Sequence, residues 1–274
     1  MNKTIVITGA GGILCSAFAK HFAAMGAKVA LLDINADAVN AVADEIVKAG
    51  GVAKAYPCSV LERESLETAH EQILKDLGKC DILINGAGGN NPRATTDREE
   101  YAVGDELDKD TKTFFNIDTN GFDFVFDLNI KGVLLPSQVF MADMPGRDGC
   151  CVLNISSMNA FRPLTKIPAY SSAKAAVTNF TQWLAVHFAK SGIRVNAIAP
   201  GFFVTNQNRS LLFNADGTPT ARTGKILAAT PMGRFGEADE LIGTVEYLLD
   251  ETKSGFVTGV TIAIDGGFSA YSGV

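Results

Sequence analysis

Seven short apolar runs alternate with six longer amphipathic ones, and no other feature of the chain narrows the possible folds so far. Thr4–Thr8, Lys28–Asp33, Val52–Pro57, Asp81–Asn85, Cys150–Ser156, Ile193–Ala199 and Val260–Asp265 have the length and composition of strands. Most are apolar on both faces, as in a sheet covered on both sides. Between them, Leu14–Met25, Ala36–Ala49, Glu62–Leu77, Phe122–Asp143, Ser171–Lys190 and Glu237–Asp250 repeat apolar residues at helical spacing. Gly26, Gly50, Gly78 and Gly192 follow four of these helices, where a left-handed residue is favoured. Such alternation joins parallel strands through right-handed crossovers. The expected fold is α/β, a doubly wound parallel sheet of about seven strands with helices on both faces.

Size and charge narrow the function. The 274 residues, 47 % of them hydrophobic, suffice for one domain over 1–274. Lys plus Arg number 24 against 30 Asp plus Glu, a net charge of −6 without long runs. That balance argues against nucleic acid or an anionic membrane surface as partner. No apolar stretch approaches the roughly 20 residues of a membrane span. The N-terminus enters a strand at once, which leaves no room for a signal peptide. Five cysteines, with no C-x-x-C or Cys/His spacing, imply a reduced, cytoplasmic protein without a metal site. His21, His70 and His187 lie in helical segments and share no metal-binding spacing; Trp183 reads as a packing or subunit contact.

The chemistry should sit at the C-terminal ends of the strands. Gly9-Ala10-Gly11 lies between the first strand and the first helix, and Asp33 ends the second strand. That context favours a dinucleotide loop, with a plain turn between strand and helix as the alternative. The turn lets phosphate approach, and the helix start at Gly12, Ile13 and Leu14 offers free N–H groups and a positive dipole end. Asp33 would accept hydrogen bonds from the adenosine ribose hydroxyls and repel a 2′-phosphate, so the expected cofactor is NAD. Two polar segments, near 89–121 and 202–236, also follow strand ends and are too long for ordinary connections.

Further along stands "NISSMNAFRPLTKIPAYSSAK". Tyr170 and Lys174 are four apart at a helix start and share a face. Ser157 lies just past a strand. A free phenol has a pKa of about 10, too high for proton exchange near neutrality. An ammonium about 4 Å away would favour phenolate by about 4 kcal/mol at an effective dielectric of 20. Tyr170 is therefore expected to be the general acid/base, tuned by Lys174.

With the Gly-rich loop, "NGAG" at 85–88, Asn129 in "DLNIKG", Ser157, Tyr170-x-x-x-Lys174 and "RVNAIAPG" at 194–201, the chain resembles the short-chain dehydrogenase/reductase family over nearly its whole length. The resemblance implies a Rossmann-type fold and a tetramer. It also implies a nicotinamide ribose held by Lys174, a reacting oxygen bonded by Ser157, and a proton-relay water placed by Asn129. Asn85, Ala87, Pro200, Phe203 and Thr205 would complete the cofactor site. The chain departs from the family pattern TGxxxGxG, whose later glycines fall on Ile13 and Cys15. Gly12 would then act one position early, and Cys15 is small enough for close helix–sheet packing. Ser59 stands where many relatives carry Asp beside the adenine.

Within the family, "GAGGNNPRATT" at 86–96 and "GFFVTNQNRSLLFNADGTPTART" at 201–223 resemble the branch acting on D-mannonate and D-fructuronate. The expected substrate is a sugar acid, bound near Ser157 and Asn159. Its carboxylate would meet Arg93 first, or Arg209, since a guanidinium bonds both oxygens. Alternatives are another hexonate or polyol dehydrogenase of the gluconate 5-dehydrogenase kind, or a 3-oxoacyl-carrier-protein reductase. A non-catalytic dinucleotide sensor is more distant, because the Ser, Tyr and Lys set is intact.

Overall fold

The computed structural model describes residues 1–205 and 208–273. Its seven strands are β1 (Thr4–Thr8), β2 (Lys28–Asp33), β3 (Val52–Pro57), β4 (Ile82–Asn85), β5 (Cys151–Ile155), β6 (Arg194–Pro200) and β7 (Thr261–Ile264). They pair in parallel in the order β3-β2-β1-β4-β5-β6-β7. The order reverses between β1 and β4, and ligands of such sheets bind at that switch point.

The expected helical segments hold α1 (Ile13–Ala24), α2 (Ala36–Lys48), α3 (Arg63–Asp76), α4 (Thr119–Phe126), α5 (Gly132–Phe140), α6 (Pro168–Phe188) and α9 (Ile242–Leu249), while α7 (Arg209–Leu212) and α8 (Ala221–Ala228) are short helices in a segment expected to be a connection. One apolar cluster packs α1, α2 and α9 on one face of the sheet, with Phe18, Phe22 and Leu31 wholly buried. A second packs α3, α5 and α6 on the other, around Leu66, Leu83 and Phe140. The inner strand β1 is buried throughout, whereas β3 alternates between exposed and half-buried residues, with only Tyr56 buried, because it is an edge. Gly26, Gly50, Gly78 and Gly192 all take the left-handed conformation expected of them, at φ +87, +86, +101 and +76°.

Two expectations need correction. The helix expected over Phe122–Asp143 begins at Thr119, widens into a π-turn at Asp127–Lys131 and carries Pro136 inside α5. A π-turn widens the helix and leaves a carbonyl to be met by a side chain. Here the Asn129 Nδ2 donates to Val125 O at 2.7 Å. The same run, Thr119–Asp143, is long and apolar enough by length and composition to cross a membrane, contrary to the sequence reading. In this fold half of it is buried against the sheet and α6.

Both long segments lie where they were expected. The first carries three isolated 3-10 turns between β4 and α4, and the second carries α7 and α8 between β6 and α9. Asn206 and Gln207 of the second lie outside the described residues.

Candidate active site

A cleft of about 690 Å³ opens where β1, β2, β4, β5 and β6 end, a size typical of small-molecule sites. Asp33 lines it at the end of β2, and Ser157, Tyr170 and Lys174 line it beyond β5 and along α6.

The glycine loop is shaped by contacts that side chains would block. Gly9 sits at φ +67°, and a Cβ there would fall 2.8 Å from the Ala87 nitrogen. The Gly11 N–H donates to Asp33 Oδ2 at 3.0 Å. A Cβ on Gly11 would lie 2.9 Å from that of Ala38. The other Asp33 oxygen accepts the Asn35 N–H at 2.9 Å. Gly12, at φ −76° and ψ 155°, has a conformation open to any residue, and it starts α1 without a side-chain cap. The first N–H groups of α1 therefore have no partner from a capping side chain and belong to a loop lining the cleft.

Cys15 stands where the family pattern has its last glycine, and the compensation is visible opposite it. A Cβ on Gly86 would overlap Cys15 Sγ, so the close approach rests on glycine at 86 rather than at 15. Burial pushes the Cys15 thiol up to about 12, with the Asp33 charge adding to the effect. The adjoining turn is fixed by Thr8, whose Oγ1 accepts from Gly86 N at 3.1 Å and Ala87 N at 3.2 Å.

At the other end, Ser157 caps a 3-10 turn after β5, and its Oγ accepts the Asn159 N–H at 3.3 Å. Pro168 opens α6, the position where its missing N–H costs nothing. Tyr170 thus falls in the first turn and Lys174 one turn later. Ser156 ties this helix to β5, donating to Lys174 O at 3.1 Å and pairing with Thr178 Oγ1 at 2.8 Å. The buried Lys174 donates from Nζ to Ile155 O at 2.8 Å and lies 5.6 Å from the centre of the Tyr170 ring.

Burial dominates the electrostatics of this pair. Desolvation pushes the Tyr170 phenol above its ordinary value, and the opposing influence is a hydrogen bond from Ser157 rather than the Lys174 charge. Lys174 is itself drawn down, from 10.5 to about 8, by burial.

Gly9, Gly11, Gly12, Ile13, Leu14, Asp33, Ala87, Pro200, Phe203 and Thr205 all line the cleft, as expected. Five other residues do not. Asn85 turns inward, donating to Ser137 Oγ at 3.1 Å and Asn154 Oδ1 at 2.9 Å, and so cross-links the core instead of lining the cofactor site. Asn129 is also buried; its amide donates to Gly89 O at 2.8 Å and Val125 O at 2.7 Å and accepts the Gly89 N–H at 3.3 Å. Both amide hydrogens are spent on the protein, and Oδ1 keeps a second lone pair beyond the Gly89 contact. Asn159 is buried beside Ser157, with Oδ1 unpartnered. Arg93 is held by Asp118 at 3.0 Å. Arg209 lies over the Phe213 ring at 5.8 Å. Neither arginine reaches the lining.

Phe124, Leu128 and Asn208 line the cleft without having been anticipated. Phe124 and Leu128 are four apart just before Asn129, a spacing that could have revealed them. Ser59 is present in the lining as well, but its Oγ accepts the Leu61 N–H at 3.3 Å. Among the described lining residues Lys174 is the only cation. The Asp33 end, with one carboxylate and no basic residue, fits an unphosphorylated adenosine ribose. Among the described residues no group of three His, Cys, Asp or Glu is placed to hold a metal.

A family model described as short chain dehydrogenase matches residues 3–214. A Haemophilus influenzae protein, provisionally named D-mannonate oxidoreductase and solved with bound NAD, is 60 % identical; the match covers 100 % of this chain and 97 % of that one with a TM-score of 0.95. An uncharacterized Bacillus subtilis oxidoreductase named UxuB is 54 % identical over 100 % of this chain and 97 % of its own. The 7alpha-hydroxysteroid dehydrogenase of Escherichia coli K12 is 31 % identical over 97 % of this chain and 94 % of its own. By the extent of these matches, and by a cleft that gathers Ser157, Tyr170 and Lys174 opposite a glycine loop, the chain belongs to the short-chain dehydrogenase family.

Proposed function

We propose that this NAD-dependent oxidoreductase reversibly interconverts a keto sugar acid and the matching hydroxy acid, with D-fructuronate and D-mannonate as the pair. The observation that carries the redox reading is one cleft with Asp33 at one end and Ser157, Tyr170 and Lys174 at the other. NAD, when bound, supplies the nicotinamide that exchanges hydride with the carbinol carbon. The glycine loop and the start of α1 would hold its pyrophosphate, and Asp33 its adenosine ribose. Ala87, Pro200, Phe203, Thr205 and Lys174 would border the nicotinamide half.

The remaining chemistry is proton transfer at the substrate oxygen. Ser157 Oγ, fixed by the Asn159 N–H, bonds that oxygen. Tyr170 gives it a proton in reduction and removes one in oxidation. Lys174, anchored at Ile155 O, supplies positive charge beside the phenol. The Asn129 side chain holds Gly89, and with it the rim of the site, so its assigned role is positioning.

The choice of substrate is supported by the similarity to the Haemophilus protein. For the carboxylate we assign Arg209 rather than Arg93. Arg209 adjoins Asn208, which lines the cleft, whereas Arg93 is engaged by Asp118.

NADH oxidation measured with D-fructuronate, 5-keto-D-gluconate and a neutral ketose tests this reading. D-Fructuronate should give the highest kcat/KM. Tyr170→Phe should lower kcat at least about a hundredfold with little change in NADH affinity, the usual scale of acid–base catalysis. A preference for the neutral ketose would refute the sugar-acid assignment, and an active Tyr170→Phe variant would refute the assigned acid.

A further inference from the structure

The first long segment does not lie free. Thr96 donates its N–H to Lys166 O at 3.0 Å, and Lys166 Nζ returns a bond to Asp97 O at 2.6 Å. Lys166 stands four residues before Tyr170, in the turn that leads into α6. Two residues beyond Asp97, Glu99 Oε1 meets Lys225 Nζ at 2.7 Å. Lys225 lies on α8, in the segment whose Phe203, Thr205 and Asn208 form the facing wall of the cleft. Between these anchors the strap is stiffened from behind: Asp97 N donates to Lys112 O at 2.9 Å, and Lys112 N donates to Asp97 Oδ2 at 2.8 Å. Four residues, none of them in the lining itself, are therefore tied at one end to the turn before α6 and at the other to α8.

We infer that Thr96–Glu99 is a strap across the substrate end of the cleft, and that it sets specificity by admitting compact ketones and excluding fused-ring or long-chain ones. The inference rests on the oxidoreductase reading but not on the identity of the sugar acid. A strap fixed before α6 and on α8 would limit how far a substrate extends beyond Ser157 and Tyr170. Lys166 and Arg222 add to the Lys225 field that holds the Glu99 carboxyl below its ordinary range, so the acidic strap is matched by basic groups at both anchors. The Lys225–Glu99 pair is largely exposed, which gives it a modest, salt-sensitive strength.

The test uses Glu99→Lys, Lys225→Glu and the double exchange. Amide hydrogen exchange of Thr96 and Asp97 reads the strap directly. Both amides should be protected in the wild type, exchange about two- to fivefold faster in each single variant, and recover in the double exchange. Rates with 5-keto-D-gluconate, 2-decalone and a 7-ketosteroid read its consequence. Each single variant should shift the ratio of kcat/KM toward the bulkier ketones by a similar factor, with KM for NADH unmoved. Unprotected Thr96 and Asp97 amides in the wild type would overturn the strap, whatever the natural substrate proves to be. A wild type that takes the fused-ring ketones as readily as the compact one, or variants that leave the ratio unchanged, would overturn its role in specificity. Failure of every sugar acid, with the strap protected, would instead count against the functional reading alone.

Discussion

Replacing Lys174 by Met should make the cofactor-free protein more stable while removing its function. The ammonium is buried, with Ile155 O at 2.8 Å as its hydrogen-bond partner. Burial draws its pKa from 10.5 to about 8. At about 1.4 kcal/mol per pKa unit, keeping the charged form in the folded state costs about 3 kcal/mol near neutral pH. Met fills nearly the same space without charge, but it leaves the Ile155 carbonyl unpartnered, a loss of about 1 kcal/mol. The net gain is about 2 kcal/mol, or roughly 4 °C in Tm for a chain of this size.

The sign of the pH dependence follows from a folded pKa below the unfolded one. Below about pH 8 the folded lysine carries its charge, and the penalty is present in full. As pH rises from about 8 to 10.5 the unfolded chain holds more protons than the folded one, so wild-type stability increases relative to the variant. Urea unfolding of both proteins without cofactor, at pH 7 and pH 9.5, is the assay. The advantage of Lys174→Met should fall to less than half at the higher pH. A variant less stable than wild type at pH 7, or an advantage that does not change with pH, would show that the lysine is not held at an electrostatic cost.

Three other outcomes follow from the site. Asp33→Ala should relax the preference for NADH over NADPH by at least tenfold, read from the ratio of kcat/KM values, because it removes the carboxylate that would bond the ribose hydroxyls and repel a 2′-phosphate; an unchanged ratio would clear Asp33 of the role. Gly86→Ala should destabilise the fold by about 1–3 kcal/mol through overpacking against Cys15. Cys15→Gly in the same chain should recover part of that loss in denaturant unfolding, but not all, since the Thr8 carbonyl also crowds the new methyl at 2.8 Å. Arg209→Ala should raise KM for the keto sugar acid about tenfold, on the scale of a lost charge-assisted bond, while Arg93→Ala should leave it within about twofold.

The strands and most helices were legible because the evidence for them is local. An apolar run such as Thr4–Thr8 is buried on both faces wherever the sheet places it. The glycines after the helices need left-handed backbone whatever packs nearby. The π-turn at Asp127–Lys131 could not be read in the same way, since residues there keep helical spacing and only Pro136 hints at trouble. Arg93 was misjudged for a related reason. Its segment does leave the sheet beside the cofactor loop, but Asp118, from the start of α4, captures the guanidinium, and nothing in the spacing shows that the two ends of the segment meet. The setting of Tyr170 and Lys174 was legible in part: four residues on a helix place two side chains on one face, but they do not say that the ammonium will also be drawn to Ile155 O.

The asparagines show where residue type stops being informative. Asn85 and Ser157 both stand at the ends of adjacent parallel strands and both look like cleft residues in a sequence. Strand register separates them. Asn85 pairs with Asn154 on β5, so the two side chains project to the same face of the sheet. There they meet one another, Ser137 of α5 and Thr181 of α6, and the polar groups are spent inside the core. Ser157 comes after β5 has ended and the chain has entered a 3-10 turn, where its side chain lines the cleft. The difference amounts to a few residues past the last ladder hydrogen bond. It decides whether a polar side chain braces the sheet or is available to a substrate.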